Sequence, residues 1–166
     1  ALDLQAELQP WWLLSSLAPE HAIVAGAQRA LRCQAGQQWR WDDVAFEVLA
    51  PPRAAYADAK LHENALSCVL QVRAGGRSLL LPGDIEAAQE RALVARYGTR
   101  LRSEALLAAH HGSKTSSTEE FLAAVQAKHV VFTVGYRNRF QHPHADVLQR
   151  VRESGAQVLR SDEHGA

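Results

Sequence analysis

The sequence lacks both an excess of charge and long hydrophobic runs. It contains 18 Lys and Arg against 18 Asp and Glu, so its formal net charge is zero. That balance excludes a surface that is basic overall and binds nucleic acid everywhere, although local basic patches stay open. No apolar run approaches the roughly 18 residues of a membrane span, and the N-terminus does not resemble a signal peptide. If the sequence belongs to a membrane protein, its spans lie outside these residues.

Repeats, low-complexity tracts and interdomain linkers are also absent. Apolar residues make up 47% of the chain and charged residues 22%, which is ordinary for a globular protein. A length of 166 residues is enough for one domain with a sizeable core. We therefore expect one domain over residues 1–166.

Periodicity and turn residues predict the order of the elements. Strands alternate with helices after Ser78, which indicates an α/β layer arrangement. A hairpin turn is predicted at Gly75 and Gly76, and a capping box beginning at Ser117 predicts the start of a helix. The predicted strands are 12–16, 39–41, 44–49, 64–72, 78–81, 105–109, 129–134 and 157–160, and the predicted helices are 2–8, 85–97, 117–127 and 145–153.

Two predicted strands end in residues that suit a metal site. The apolar run 105–109 leads directly into His110 and His111, and the run 78–81 leads into Pro82, Gly83 and Asp84. Aspartate with histidine suits zinc or manganese, and an acid at the end of a buried strand is costly without a partner. Alternatively, the histidines form ordinary hydrogen bonds and Asp84 caps the following helix.

Three segments together resemble a known family. They are LLPGD at 80–84, HHGSKTSS at 110–117 and VGYRNRFQHP at 134–143. They resemble the metallo-β-lactamase-like domain at the C-terminus of ComEC-type competence proteins, and the resemblance covers nearly the whole chain. It implies an α/β fold of the αββα sandwich type. The family's main metal motif, His-x-His-x-Asp-His, is not in the sequence, so an N-terminally incomplete domain is expected.

The resemblance implies a metal-dependent nuclease that acts on DNA during uptake. Mn²⁺ or Zn²⁺ is the implied cofactor, with two ions in the complete domain. The predicted ligands are Asp84, His110 and His111, with His110 as the first choice of the histidine pair. We predict that His111 and His142 take part in the chemistry, with His142 binding phosphate or acting as a general acid. His144 could act in place of His142 or lie at a helix N-terminus without any chemical role. His62 could be a further metal ligand or a solvated loop residue. The predicted substrate-binding residues are Asn64, Ser67, Ser113, Lys114, Thr115 and Arg139.

The same resemblance implies an extracytoplasmic domain of an inner-membrane channel protein, with DNA and the rest of that protein as partners. Disulfides persist in that compartment, so a Cys33–Cys68 disulfide is predicted, against two free thiols. Three other functions stay open: a noncatalytic DNA-binding or structural module, a hydrolase of another ester or a lactam, and a remnant with a dead site. Trp39 and Trp41 are interpreted as packing residues rather than a base-stacking platform.

Overall fold

The fold is built on one large mixed sheet whose strands follow each other in chain order. The computed structural model describes residues 12–165, except for the side chain at position 164. A small parallel pair comes first, formed by β1 (Leu13–Ser15) and β2 (Ala30–Arg32). The large sheet has the order β3-β4-β5-β6-β7-β8-β9. Its strands are β3 Gln38–Trp41, β4 Val44–Ala50, β5 Val69–Ala74, β6 Arg77–Leu81, β7 Ala105–Leu107, β8 His129–Phe132 and β9 Gln157–Arg160.

Strand β6 is where the sheet changes its pairing mode. β3 to β6 pair antiparallel, and β6 to β9 pair parallel. Parallel neighbours need crossover connections, and here each crossover contains one helix. The helices are α1 Ala22–Ala25, α2 Ala87–Tyr97, α3 Glu119–Val125, α4 Ala145–Glu153 and α5 Ser161–His164. Among the residues described, no helix is long and apolar enough to span a membrane.

The core lies beneath the parallel half of the sheet. Leu80, Leu106 and Val130 lie on β6, β7 and β8 and are almost completely buried. Helices α3 and α4 contribute Phe121 and Val147 to the same cluster. Each fully buried side chain of this kind contributes about 1.5–3 kcal/mol. The core therefore fixes the parallel strands, and with them the loops at their carboxyl ends.

The structure confirms most predicted elements and shortens four of the predicted strands, two of which border the candidate site. The predicted strand 64–72 is wrong in its first half, because the pairing of β5 begins only at Val69. Glu63–Leu66 forms a 3₁₀ turn, in which the backbone N–H of Ser67 bonds to the carbonyl of Asn64. The predicted strand 105–109 ends at Leu107, and Ala109–Gly112 forms a second 3₁₀ turn. The predicted helix 2–8 lies outside the described residues.

Two helix starts also differ from their predictions. Helix α2 begins at Ala87 rather than residue 85, because Glu86 is its N-cap and forms a capping box with Gln89. Asp84 therefore does not cap this helix. Helix α3 is capped by Thr118, whose side chain accepts the N–H of Phe121, so the expected role of Ser117 as the cap is wrong.

The predicted disulfide between Cys33 and Cys68 is present. It joins the segment after β2 to the segment before β5, across 35 residues of chain. Cys33 is completely buried, beneath the hydroxyl of Tyr56, which donates to the Cys33 carbonyl at 2.7 Å. The alternative interpretation of two free thiols is wrong.

Candidate functional site

The candidate site lies where three parallel strands end at the same edge of the sheet. Asp84 follows β6, His110 and His111 follow β7, and Thr133 follows β8. The backbone N–H of His110 bonds to the carbonyl of Gly83 at 3.0 Å, which ties the first two loops together. The sheet thus brings Asp84 and the histidine pair together as the sequence predicted.

His111 is the histidine that faces Asp84. Its Nδ1 lies 2.8 Å from the carbonyl oxygen of Thr133, which can only accept, so we assign the Nδ1 proton to this bond. In the neutral ring, Nε2 then carries the lone pair, and it lies 3.6 Å from Oδ1 of Asp84. Metal-binding histidines are commonly held in this way, by a carbonyl that fixes the opposite nitrogen.

His110 forms a second pairing, with a carboxylate that the sequence analysis missed. Its Nδ1 is buried and lies 3.5 Å from Oε1 of Glu86, an ion-pair distance without hydrogen-bond geometry. Its ring centroid is 6.1 Å from that of His142. The sequence signal for it is the Glu-x-x-Gln spacing of Glu86 and Gln89, which indicates that the helix begins directly after Glu86. The site therefore contains two adjacent carboxylate–imidazole pairs.

His142 belongs to the same cluster. Burial, and then the nearby imidazoles of His110, His111 and His144, lower its pKa from the ordinary value of 6.5. Its Nδ1 is buried without a hydrogen-bond partner among the residues that are described. His144 instead caps α4, with Nδ1 accepting the N–H of Asp146 at 3.3 Å. This is the alternative foreseen for His144, and it separates the roles of the two histidines.

The backbone of the histidine loop is left-handed at three consecutive residues. φ is 48° at His110, 55° at His111 and 83° at Gly112. Left-handed conformations cost non-glycine residues on the order of 1–3 kcal/mol each and persist only where the surroundings enforce them. A Cβ on Gly112 would lie 2.6 Å from Cβ of Pro143 and 2.7 Å from Phe132. Glycine at this position lets the His111 and His142 loops touch.

We expect Gly112→Ala to lower the free energy of unfolding by about 3 kcal/mol, as backbone strain adds to overpacking. Gly155→Ala is the matched control, because Gly155 has φ of 82° but open space around the added Cβ. It should cost only about 1 kcal/mol, for the left-handed backbone alone. Urea unfolding of both variants measures the difference. Equal losses would show that the contact with Pro143 and Phe132 carries no cost.

A buried carboxylate holds the serine-rich loop that follows. Glu90 of α2 is completely buried and accepts the backbone N–H groups of Ser117 and Thr118. Arg150 of α4 donates to the carbonyls of Ser117 and Ser116, at 3.1 and 3.0 Å. Burial raises the pKa of Glu90, opposed by these two N–H groups and by Arg150. Two helices thus fix one turn of the loop from opposite sides.

The predicted substrate residues occupy different positions around the site. Lys114 and Thr115 are exposed, whereas Ser113 is buried, with Oγ 3.2 Å from Oγ1 of Thr115. Ser67 supports the loop of Asp84, whose backbone N–H donates to its Oγ at 3.1 Å. Asn64, a further predicted substrate residue, lies in the Glu63–Leu66 turn. His62, the alternative metal ligand, is exposed and directly precedes that turn.

The loop before His142 is closed by Asn138. Its side-chain amide donates to the His142 carbonyl at 2.7 Å, and its Oδ1 accepts the His142 N–H at 2.8 Å. Arg139, a predicted substrate residue, lies over the ring of Phe140 at 4.8 Å. The Phe140 ring in turn stacks against His142, with centroids 5.9 Å apart. The loop is therefore a direct extension of the site.

The candidate metal ligands are of the right chemical type for a divalent metal, but they are few. A neutral imidazole nitrogen opposite a carboxylate oxygen is typical of zinc or manganese sites. Within residues 12–165, however, no three His, Cys, Asp or Glu side chains converge as a ligand group. The described residues thus offer pairs of ligands rather than a full set.

Comparisons with known proteins place the chain beside competence proteins. It is 43% identical over 152 residues to competence protein ComA of Neisseria gonorrhoeae, covering 89% of this chain and 21% of that protein. It is 36% identical over 123 residues to ComE operon protein 3 of Bacillus subtilis, covering 74% of this chain and 15% of that one. The chain thus spans about a fifth or less of these relatives' length. No family model matches the sequence.

Solved structures agree on the fold. A Parabacteroides distasonis protein named as a metal-dependent hydrolase superposes with a TM-score of 0.56 at 10% identity, over 96% of this chain and 80% of that one. The diiron β-hydroxylase CmlA of Streptomyces venezuelae gives a TM-score of 0.52 at 12% identity, over 85% of this chain and 35% of that one. The α/β sheet arrangement and these relatives together show that the chain belongs to the ComEC-type competence proteins and has their metallo-β-lactamase-like fold.

Proposed function

We propose that the chain is the metal-dependent phosphodiesterase portion of a DNA-uptake protein. One observation carries the proposal: Nε2 of His111, its lone pair set by the Thr133 carbonyl, lies 3.6 Å from Oδ1 of Asp84. A metal cation could bind between the imidazole nitrogen and the carboxylate oxygen of such a pair. The competence relatives support DNA as the substrate.

Each residue of the site then has a distinct role. Asp84 and His111 would hold Mn²⁺ or Zn²⁺, and His110 with Glu86 would supply further ligand atoms. The bound ion would activate water and offset charge on the phosphodiester. The lowered pKa of His142 keeps its imidazole largely neutral at pH 7. An approaching phosphate would raise that pKa, so His142 could donate a hydrogen bond to phosphate or a proton to the leaving oxygen.

The exposed part of the serine-rich loop would contact the same phosphate. Lys114 offers a cation and Thr115 a hydroxyl, and both are exposed. Charge-assisted hydrogen bonds to phosphate oxygens are among the stronger ones available to a protein. Because Glu90 and Arg150 hold the next turn of this loop, these donors are presented by a fixed backbone.

We further propose that these residues bind the metal weakly by themselves. A catalytic zinc site normally has three protein ligands, and the described residues bring them together only in pairs. The relatives extend far beyond the aligned segment. We therefore propose that the remaining ligands come from outside these 166 residues, from the His-x-His-x-Asp-His motif that the family resemblance implies. The complete site would then hold two ions and lie outside the cytoplasm, beside the channel of the same protein. The disulfide supports that compartment.

Calorimetric titration with Mn²⁺ and Zn²⁺ tests the ligand assignment. Asp84→Asn and His111→Ala should each weaken binding by at least about tenfold. Asp146→Asn is the matched control, since Asp146 also pairs with a histidine at 3.5 Å but outside the site. It should leave affinity unchanged. Binding that is indifferent to Asp84 and His111 would place the metal elsewhere.

A cleavage assay tests the activity. We expect little metal-dependent DNA cleavage by the 166-residue chain. A chimera in which this chain replaces the aligned segment of ComA should restore it. Asp84→Asn in the chimera should abolish the gain. Full cleavage by the chain alone would contradict the proposed incomplete ligand set.

A noncatalytic DNA-binding module is the second candidate. The small ligand set favours it, together with two arginines in the loop before His142. It predicts no metal binding that depends on Asp84 and His111 and no cleavage by the chimera, so the two assays above also separate the candidates.

A further inference from the structure

Two large aromatic rings protrude from the loop that leads to His142. Tyr136 is 78% exposed and Phe140 is 64% exposed, although both are large enough to contribute to a core. The packing of the domain does not explain them, because neither ring belongs to the hydrophobic core cluster. We call the segment from Tyr136 to Phe140 the aromatic loop.

An arginine side chain lies over each of the two rings. The guanidinium of Arg137 lies 5.3 Å from the centroid of Tyr136, and that of Arg139 lies 4.8 Å from the centroid of Phe140. Neither arginine forms an ion pair within residues 12–165, and the aromatic loop contains no acidic residue. The loop is thus a local positive patch on a chain whose net charge is zero.

The loop is also held in place. Asn138 binds both the N–H and the carbonyl of His142, which closes the turn without using either ring. Phe140 stacks against His142 at 5.9 Å, so an aromatic face borders the proposed catalytic histidine. A planar group resting on Phe140 would hold its attached phosphate close to His142.

We propose that the aromatic loop binds unpaired nucleobases, so that the site takes single-stranded rather than double-stranded nucleic acid. This rests on the proposed function, because it names the form of substrate for the same site. Exposed rings stack on bases of any sequence, and arginines contact the backbone phosphates between them. In a duplex the bases already stack on each other and cannot reach Tyr136 and Phe140.

Fluorescence anisotropy in EDTA tests this without metal or catalysis. The probes are a labelled thymidine 20-mer, a 20-mer of the same charge built only from abasic tetrahydrofuran units, and a blunt duplex. We expect the thymidine strand to bind at least about tenfold more tightly than the abasic strand. The double variant Tyr136→Ala/Phe140→Ala should remove that difference, with a circular dichroism spectrum matching the parent.

Two further variants separate stacking from charge and from other aromatic surfaces. Arg137→Ala should lower affinity for both single strands alike and reduce the salt slope by about 0.7. Trp41, which is 57% exposed on the edge strand β3, provides the aromatic control, and Trp41→Ala should leave the difference between strands intact.

Equal binding of the thymidine and abasic strands by the parent chain would overturn the inference, as would preferred binding of the duplex or no binding of any strand. A base-dependent difference lost in Trp41→Ala instead would also overturn it. The proposed function fails separately, through metal binding and cleavage that do not depend on Asp84, so the two results are distinguishable.

Discussion

Removing the Cys33–Cys68 disulfide is expected to lower the free energy of unfolding by about 4 kcal/mol. The bond closes a loop with a sequence separation of 35, and the chain-entropy model assigns that value to a loop of this length. For a domain of this size the loss corresponds to roughly 10 °C in Tm. Thermal unfolding of Cys33→Ala/Cys68→Ala with and without dithiothreitol measures it.

The reduced parent protein is the control for packing. It keeps both sulfur atoms, including the fully buried one of Cys33, and loses only the covalent link. Under reducing conditions, the Tm of the parent and that of the variant should therefore differ only by the packing of the two sulfur atoms, and only the parent should respond to the reductant. Two reactive thiols in unfolded, unreduced parent protein would show that the bond does not form.

The second large effect is expected from Glu90. Replacing it with alanine should lower the free energy of unfolding by about 3–5 kcal/mol, because a buried ionic partner is removed and others are left without it. The N–H groups of Ser117 and Thr118 would lose their acceptors, and Arg150 would lose the nearby opposing charge. Urea unfolding gives the stability, and metal titration shows whether the neighbouring site changes with it.

Glu20→Ala is the surface control for Glu90, because Glu20 lies exposed in a turn. It should change stability by no more than about 0.5 kcal/mol. Glu90→Gln keeps the shape but points amide hydrogens at a backbone N–H, so it should recover only part of the loss. A Glu90→Ala protein as stable as the control would show that the loop is held without the carboxylate.

The strand ends were predictable because the pattern of the parallel half is strong. Short apolar runs followed by Gly, Pro or histidine mark β6 and β7, and neighbouring parallel strands present their carboxyl ends together. That logic placed Asp84 beside the histidine pair. It could not tell His110 from His111, because the choice depends on two consecutive left-handed residues that no periodicity encodes.

The burial of Glu90 could have been predicted from its spacing in the sequence. It lies three and seven residues before Leu93 and Tyr97, and all three are buried on one face of α2. A carboxylate inside an apolar helical stripe indicates a buried partner elsewhere in the fold. What the sequence cannot supply is the partner itself, because Ser117 and Thr118 reach Glu90 only through tertiary packing.

The register between β6 and β7 determines how far each site residue lies from the paired strands. Leu80 pairs with Leu106, and Asp84 and His110 each stand four residues beyond that pair. Inserting or deleting one residue within either strand after this pair would shift the loop that follows it by about 3.3 Å, which exceeds the displacement of about 1 Å that already impairs a working site. The spacing in residues is therefore as much a determinant of this site as the identity of its side chains.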